Sequence, residues 1–199
     1  DGPSCEQGRS ADSHFDPQCT TCHGSDEQDN PAPPPDTDRR TTTGDPGVGA
    51  HQQMLRGSSW HGRIRCGECH PVPQDHDFDP CAPNHHDGKV DFAWGPVAVG
   101  GIYDTSTGSC SYTWCHGTIL APDQLGETTV RKPEWTRVDG SQSACGKACH
   151  TTPPGGTHEN STDCPSCHTA VIAAFDPLDP QATVWLDPDL HINGWRDHL

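Results

Sequence analysis

Apolar residues along this chain occur in short clusters, separated by polar stretches rich in proline and glycine. No run approaches the ~18 consecutive apolar residues that a membrane-spanning helix needs. Two places suggest a short helix. One begins at His51, after Gly47-Val48-Gly49-Ala50, and runs to Leu55; the other is Ala170 to Phe175. Lys89 to Val99 alternates loosely between apolar and polar, which predicts a short strand or hairpin arm. Residues 25–50 carry Pro31, Pro33, Pro34, Pro35 and Pro46 among several glycines, so they predict polyproline and turn, not helix. The expected fold class has few regular secondary structures: a loop-rich chain with short helices.

Composition makes that expectation harder to reconcile with an ordinary domain. Of the 199 residues, 30% are hydrophobic, and glycine and proline number 21 and 20. Mean hydropathy is -0.80. Globular domains usually run at ~45–50% apolar residues, so on side chains alone this chain falls toward disorder. Something other than its own side chains must supply the core.

The cysteines and histidines indicate what that is. Three plain C-x-x-C-H strings are present: Cys19-Thr20-Thr21-Cys22-His23, Cys66-Gly67-Glu68-Cys69-His70 and Cys164-Pro165-Ser166-Cys167-His168. Two more are stretched: Cys145-Gly146-Lys147-Ala148-Cys149-His150 and Cys110-Ser111-Tyr112-Thr113-Trp114-Cys115-His116. C-x-x-C-H is the attachment signature of c-type haem. Each cysteine pair forms two thioethers to the porphyrin, and the adjacent histidine (His23, His70, His116, His150 or His168) becomes the proximal iron ligand. Zinc is the rival, because C-x-x-C also makes zinc half-sites. Zinc has no need of a histidine directly after every pair, and histidine is only 14 of 199 residues. Five haem c groups are therefore expected, with the haem array as the core and a short helical turn at or after some of the motifs.

Cys5 and Cys81 remain outside the motifs. Haem attachment takes place outside the bacterial cytoplasmic membrane, so a periplasmic or extracellular location is expected. The chain starts at Asp1 without Met, as after removal of a secretory signal. In an oxidising compartment Cys5 and Cys81 could bridge, the alternative being two unpaired thiols. The formal charge of -16 excludes nucleic acid as a partner and disfavours an anionic membrane surface. It suits basic redox proteins, metal ions and positively charged metal oxides, or it serves solubility alone.

The motifs repeat as degenerate two-haem units, about 15–90 and about 105–160, with a fifth unit at about 161–199; together they form one domain over 1–199. Numbered in chain order from Cys19, Cys66, Cys110, Cys145 and Cys164, motifs 1 and 3 both end Cys-His-Gly, and motifs 2 and 4 both begin Cys-Gly. A second echo pairs His85-His86-Asp87-Gly88-Lys89-Val90-Asp91 with His191-Ile192-Asn193-Gly194-Trp195-Arg196-Asp197.

Distal ligands must come from His14, His51, His61, His76, His85, His86, His158, His191 and His198, or from the single Met54. One methionine can serve one iron, so bis-histidine ligation and low potentials are expected. His85 and His191 are favoured by their shared motif, His158 by its place in a Pro-Gly turn between two motifs, and His51 by the helix it begins. The fifth ligand lies between His61 and His14. His76, His86 and His198 read as surface histidines.

Taken together, the chain resembles the multihaem c-type cytochromes of dissimilatory metal-reducing bacteria. The strings that carry the resemblance are Gly47-Val48-Gly49-Ala50-His51-Gln52, Cys66 to Pro73, Cys110 to Gly117, and His191-Ile192-Asn193-Gly194. In the family a second histidine often follows three residues after the one matching His51; here that position is Met54. The resemblance implies extracytoplasmic electron transfer. It also implies a polymer in some members, a head-to-tail filament in which one haem takes its distal histidine from the next subunit. His14, five residues before Cys19, is the expected donor. The function expected is thus an electron conduit and not an enzyme. The alternatives are a reductase for nitrite or hydroxylamine with one open iron, and a monomeric periplasmic electron shuttle.

Overall fold

The computed structural model describes residues 20, 22–28, 30–71, 88–116, 120–125 and 130–193. Cys5, His14, Cys19, His76, Cys81, His85, His86 and His198 lie outside the described residues, as does the side chain of Cys115. The described chain is loop-rich. It holds two short α-helices, α1 (His51–Arg56) and α2 (Cys164–Cys167), several single 3-10 turns, and two antiparallel hairpins. One hairpin pairs β1 (Ile102–Asp104) with β2 (Ser109–Ser111); the other pairs β3 (Ile172–Ala174) with β4 (Val184–Trp185). No helix among the described residues is long and apolar enough to cross a membrane.

Six residues are too few to hold a helix in water by themselves, so α1 depends on its surroundings. Gln52 does most of that anchoring. Its side-chain amide donates to the carbonyls of Ala32 and Pro33 at 3.2 and 2.9 Å and accepts from Asn30 Nδ2 at 3.0 Å. The proline-rich segment, which has few backbone donors, is thereby fastened to the helix through its carbonyls. Upstream, Val48 N and Gly49 N both donate to the Asp45 carbonyl at 2.9 Å, forming the turn that launches α1. The helix stops at Gly57, whose φ of 66° is left-handed, and Arg63 Nε then donates to the exposed Leu55 carbonyl at 2.8 Å.

The Gly47-Val48-Gly49 string has a packing reason. A Cβ on Gly49 would sit 1.9 Å from Trp135 Nε1, and one on Gly47 would sit 2.4 Å from Asp36 Oδ2. Trp135 donates to the Pro46 carbonyl at 2.8 Å, so the nitrogen edge of the indole lies against this turn. Val48 between them is 1% exposed and is the largest fully buried side chain among the described residues. The other buried apolar residues are Ala32, Ala50, Val97, Ala98 and Ala148. Burying a valine side chain stabilises by ~1.5–3 kcal/mol, whereas ordering each backbone residue costs ~1–2 kcal/mol. A core of two valines and four alanines among the described residues does not offset that cost.

Two expectations fail. Ala170 to Phe175 is not helical: Ile172–Ala174 forms β3, paired to β4 through Ile172 opposite Trp185. β-branched Val171 and Ile172 fit a half-buried strand, and the partner strand that decides the matter, β4, starts ten residues further on, outside the segment. Lys89 to Val99 contains no strand; it runs irregularly to a 3-10 turn at Pro96–Ala98. Instead, Ala93 N donates to the Cys69 carbonyl and Gly95 N to the Glu68 carbonyl, at 2.9 and 3.1 Å, which ties the segment to motif 2. The hairpin comes just after, at β1–β2, where Asp104 Oδ1 accepts from Ser106 N and Oγ and Gly108 takes a φ of 64°. The described residues of 25–50 are turns and irregular chain apart from one 3-10 turn at Asp26–Gln28, which agrees with the turn part of the proline pattern.

Candidate functional site

The cysteine motifs are compact turns. In motif 2, Cys69 N and His70 N both donate to the Cys66 carbonyl, at 3.1 and 2.9 Å. Motif 5 coincides with α2, and His168 N donates to the Cys164 carbonyl at 2.9 Å. The three-residue spacer of motif 4 is taken up by a turn in which Ala148 N bonds the Ala144 carbonyl at 2.8 Å. In motif 3, His116 closes a 3-10 turn spanning Trp114–His116. A single turn puts the two cysteines and the histidine of a plain motif on one face.

Cys22, Cys66, Cys69, Cys110, Cys145, Cys149, Cys164 and Cys167 are all free thiols. Burial pushes the Cys69, Cys110 and Cys149 thiols up to about 11. They are protonated at neutral pH, the opposite of what an activated nucleophile needs. Among the described residues no three or more His, Cys, Asp or Glu side chains converge as a metal-ion cage. Zinc asks for four protein ligands, whereas a porphyrin brings four nitrogens of its own and asks the protein for two.

Pairs are what the histidines form. His51 lies 6.3 Å from His70, His191 lies 6.3 Å from His150, and His158 lies 6.1 Å from His168, centroid to centroid. Each pair sets a motif histidine against one outside the motifs. Two imidazoles on opposite sides of one metal, with metal–nitrogen bonds of ~2.0–2.1 Å and about 1.1 Å from nitrogen to ring centre, have centroids ~6.2–6.4 Å apart.

The backbone sets the tautomers. Nδ1 of His51 donates to the Val48 carbonyl at 2.8 Å, that of His191 to Trp60 at 2.6 Å, and that of His158 to Glu159 at 2.7 Å. On the motif side, Nδ1 of His70 donates to the Asp91 carbonyl at 2.9 Å and that of His150 to Thr151 at 2.6 Å. His23 Nδ1 likewise meets the Pro31 carbonyl. A proton held on Nδ1 leaves Nε2 as the bare lone pair, the arrangement found around metal-bound histidines. Burial lowers the pKa of His51, and that of His191 to about 4, so both rings are neutral at pH 7.

Two further predicted ligands, His61 and His116, have other surroundings. His61 donates Nδ1 to the Gly62 carbonyl at 2.6 Å and packs edge-on to Trp60 at 4.4 Å; among the described residues its ring does not face a motif histidine. His116 is buried, its pKa lowered to about 4 by desolvation, with the Val130 carbonyl opposing that shift. Its Nδ1 makes no hydrogen bond of normal geometry among the described residues.

The motifs neighbour one another. Cys69 and Cys110 are close enough for the charge of one to raise the pKa of the other. Tyr103 is the cross-strand partner of Cys110, and Phe92 lies 5.1 Å from Tyr103, 5.1 Å from Trp94 and 5.4 Å from His70. His51 senses both His70 and His23. Sequence reasoning passed over these aromatics, along with Trp135, which meets His51 edge-on at 4.8 Å, and Trp185, stacked on His191 at 4.5 Å. The signal was six tryptophans in a chain with so little other apolar content.

Two cavities of about 400 and 410 Å³ adjoin motif cysteines. The first has Cys66, Gln52, Pro31, Arg56 and Arg63 on its walls, and the second has Cys145, Lys147, Leu178 and Pro180. Both fall within the ~300–1,000 Å³ of cofactor sites.

No family model matches this chain, and neither a curated protein nor a solved structure matches it.

Proposed function

We propose that this protein is a multihaem c-type cytochrome that carries electrons outside the cytoplasm on five covalently bound haems. The observation that carries the reading is the set of three histidine pairs at 6.1–6.3 Å, each joining a motif histidine to a distant one. Haem iron supplies a reversible one-electron centre. The chain's part is to hold it. Free cysteine thiols in each described motif are available for thioether formation. The Nδ1 hydrogen bonds to backbone carbonyls present Nε2 to the metal and make the imidazole a stronger donor. Arg56, Arg63 and Lys147 line the two cavities and suit the propionate carboxylates.

Two histidines at one iron leave no position for a small molecule, so these three pairs favour conduction over catalysis. Proximity of Cys69 to Cys110 and of His51 to His23 brings motifs 1, 2 and 3 together, which suits electron transfer over short gaps. The core of the folded protein is then the haem array, which would supply the apolar mass that Val48 and the few other buried side chains lack. The partners are basic redox proteins, metal ions or metal oxides, in keeping with the charge of -16. Further copies of the chain join head to tail. The deciding experiment is the intact mass of the protein made in a host with haem-attachment machinery. A mass of 21.4 kDa plus five haems is expected; no haem increment would overturn the reading.

A further inference from the structure

The three histidine pairs differ in one respect. His158 and His168 are almost parallel, with 7° between ring planes, and His51 and His70 are at 27°. His150 and His191 are at 85°. Several contacts hold His191 in that attitude. Its Nδ1 donates to the Trp60 carbonyl at 2.6 Å, which fixes one ring edge. The Trp185 indole stacks on its face at 4.5 Å and 27°. Neither contact is free to turn. Trp185 is pinned in β4 opposite Ile172, with Leu186 N donating to the Val171 carbonyl at 2.8 Å. The Trp60 loop is pressed against the Pro188–Leu190 turn so closely that a Cβ on Gly62 would lie 2.0 Å from Asp189 Oδ1. His150 is fixed independently through the Thr151 carbonyl at 2.6 Å.

We infer that Trp185 is a positioning residue which, with the Trp60 carbonyl, holds His191 at a right angle to His150 and so makes the iron between them electronically unlike the irons of the two other pairs. The inference rests on the haem reading above. An imidazole acts on the iron d orbitals through the π orbital perpendicular to its ring. Parallel rings act on the same d orbital, split it from its partner, and stabilise the ferric state that has its hole there. Crossed rings act on one orbital each and leave the two nearly degenerate. The ferric form loses that extra stabilisation, so the His150–His191 iron takes the higher reduction potential of the three. Axial ligands and the groups around them are among the levers by which a protein sets haem potential. Of these three irons, the one beside Trp185, near the β3–β4 hairpin, is the one an electron favours.

The test is low-temperature electron paramagnetic resonance of the ferric holoprotein, with a potentiometric titration followed by the same signals. Wild type should show a low-spin component of large g anisotropy beside ordinary rhombic components. Trp185→Leu should convert one haem equivalent of the first into the second and lower the potential of that haem. Trp185→Phe, which keeps a ring on the His191 face, should preserve both. A wild-type spectrum with rhombic components alone overturns the inference, and so does a Trp185→Leu protein whose spectrum and titration are unchanged. The wild-type arm stands whether or not the variants fold. Intact mass separates this from failure of the haem reading: five haems with the wrong spectrum sinks only the role of Trp185.

Discussion

A single atom decides residue 49. Glycine there has a φ of 44° and lets the Trp135 indole close over the turn that launches His51. Gly49→Ala should destabilise the protein by ~1–3 kcal/mol through overpacking and left-handed strain, read as a lowered melting temperature. Trp135→Ala in the same protein should recover part of the loss, because the two changes share one contact. The histidines behave differently, since each is legible from sequence only as a type. His51, His158 and His191 were singled out from their turns and repeats, and each lies across from a motif histidine. Which motif histidine each one faces was not legible: His191 meets His150, not the nearer His168. Chain folding over 41 residues sets that, with no local signal. Replacing His51, His158 or His191 by Ala should each leave one iron five-coordinate and reactive with carbon monoxide. The visible spectrum after exposure to the gas checks it, with one haem equivalent expected per variant and little in wild type.

Secondary elements here serve the motifs more than they serve a core. The one-turn geometry of C-x-x-C was readable in advance, because three residues make about one helical turn; α2 is that turn. Short strands were not readable. β1 and β2 have three residues each and alternate too briefly to show a period, yet they place Tyr103 against Cys110. Their link depends on Asp104, whose carboxyl is held below its usual range by hydrogen bonds from the Ser106 side chain and backbone. A depressed carboxylate stabilises the folded state above its unfolded pKa, and that contribution is lost as pH falls through the folded one. Asp104→Ala should therefore remove any dependence of hairpin order on pH in the acid range below about 4. Amide exchange at Ser106 and Gly108 checks this, and equal pH dependence in variant and wild type would count against it. In α1 the corresponding lever is Gln52. Gln52→Ala breaks three hydrogen bonds to the proline-rich segment, each worth ~0.5–1.5 kcal/mol, and should release that segment to protease faster than wild type.

At the scale of the molecule, low hydropathy and abundant cysteine-histidine motifs pointed to a chain that wraps something else, and the few small buried side chains agree with the first half of that reading, the low apolar content. The second half makes a claim about assembly. On the proposed haem reading, a chain that wraps several flat apolar groups would be well placed to pass electrons to its own copies. Exposed apolar side chains are present for such contacts: Leu178 is 93% exposed and Val90 68%. The expected junction is a histidine of one copy bound to an iron of the next. His14 was its proposed donor from sequence; it lies outside the described residues, and its five-residue distance from Cys19 is the argument that remains. On the proposed haem reading, that spacing would leave little chain to arch over the haem of motif 1 and enough to extend to a neighbour. A head-to-tail contact of this kind does not close on itself, so it propagates. Because it rests on a metal–ligand bond, it should survive high salt, which would disperse a contact made of surface charges. Wild-type protein should form filaments by electron microscopy at low and high ionic strength alike. His14→Ala should keep five haems by mass and remain unassembled. Filaments of normal length from that variant would show that another histidine bridges the copies, and His61, with its Nδ1 already committed to the Gly62 carbonyl, is the next to replace. A wild type that is strictly monomeric at every concentration would leave the conduit reading in place and remove the polymer.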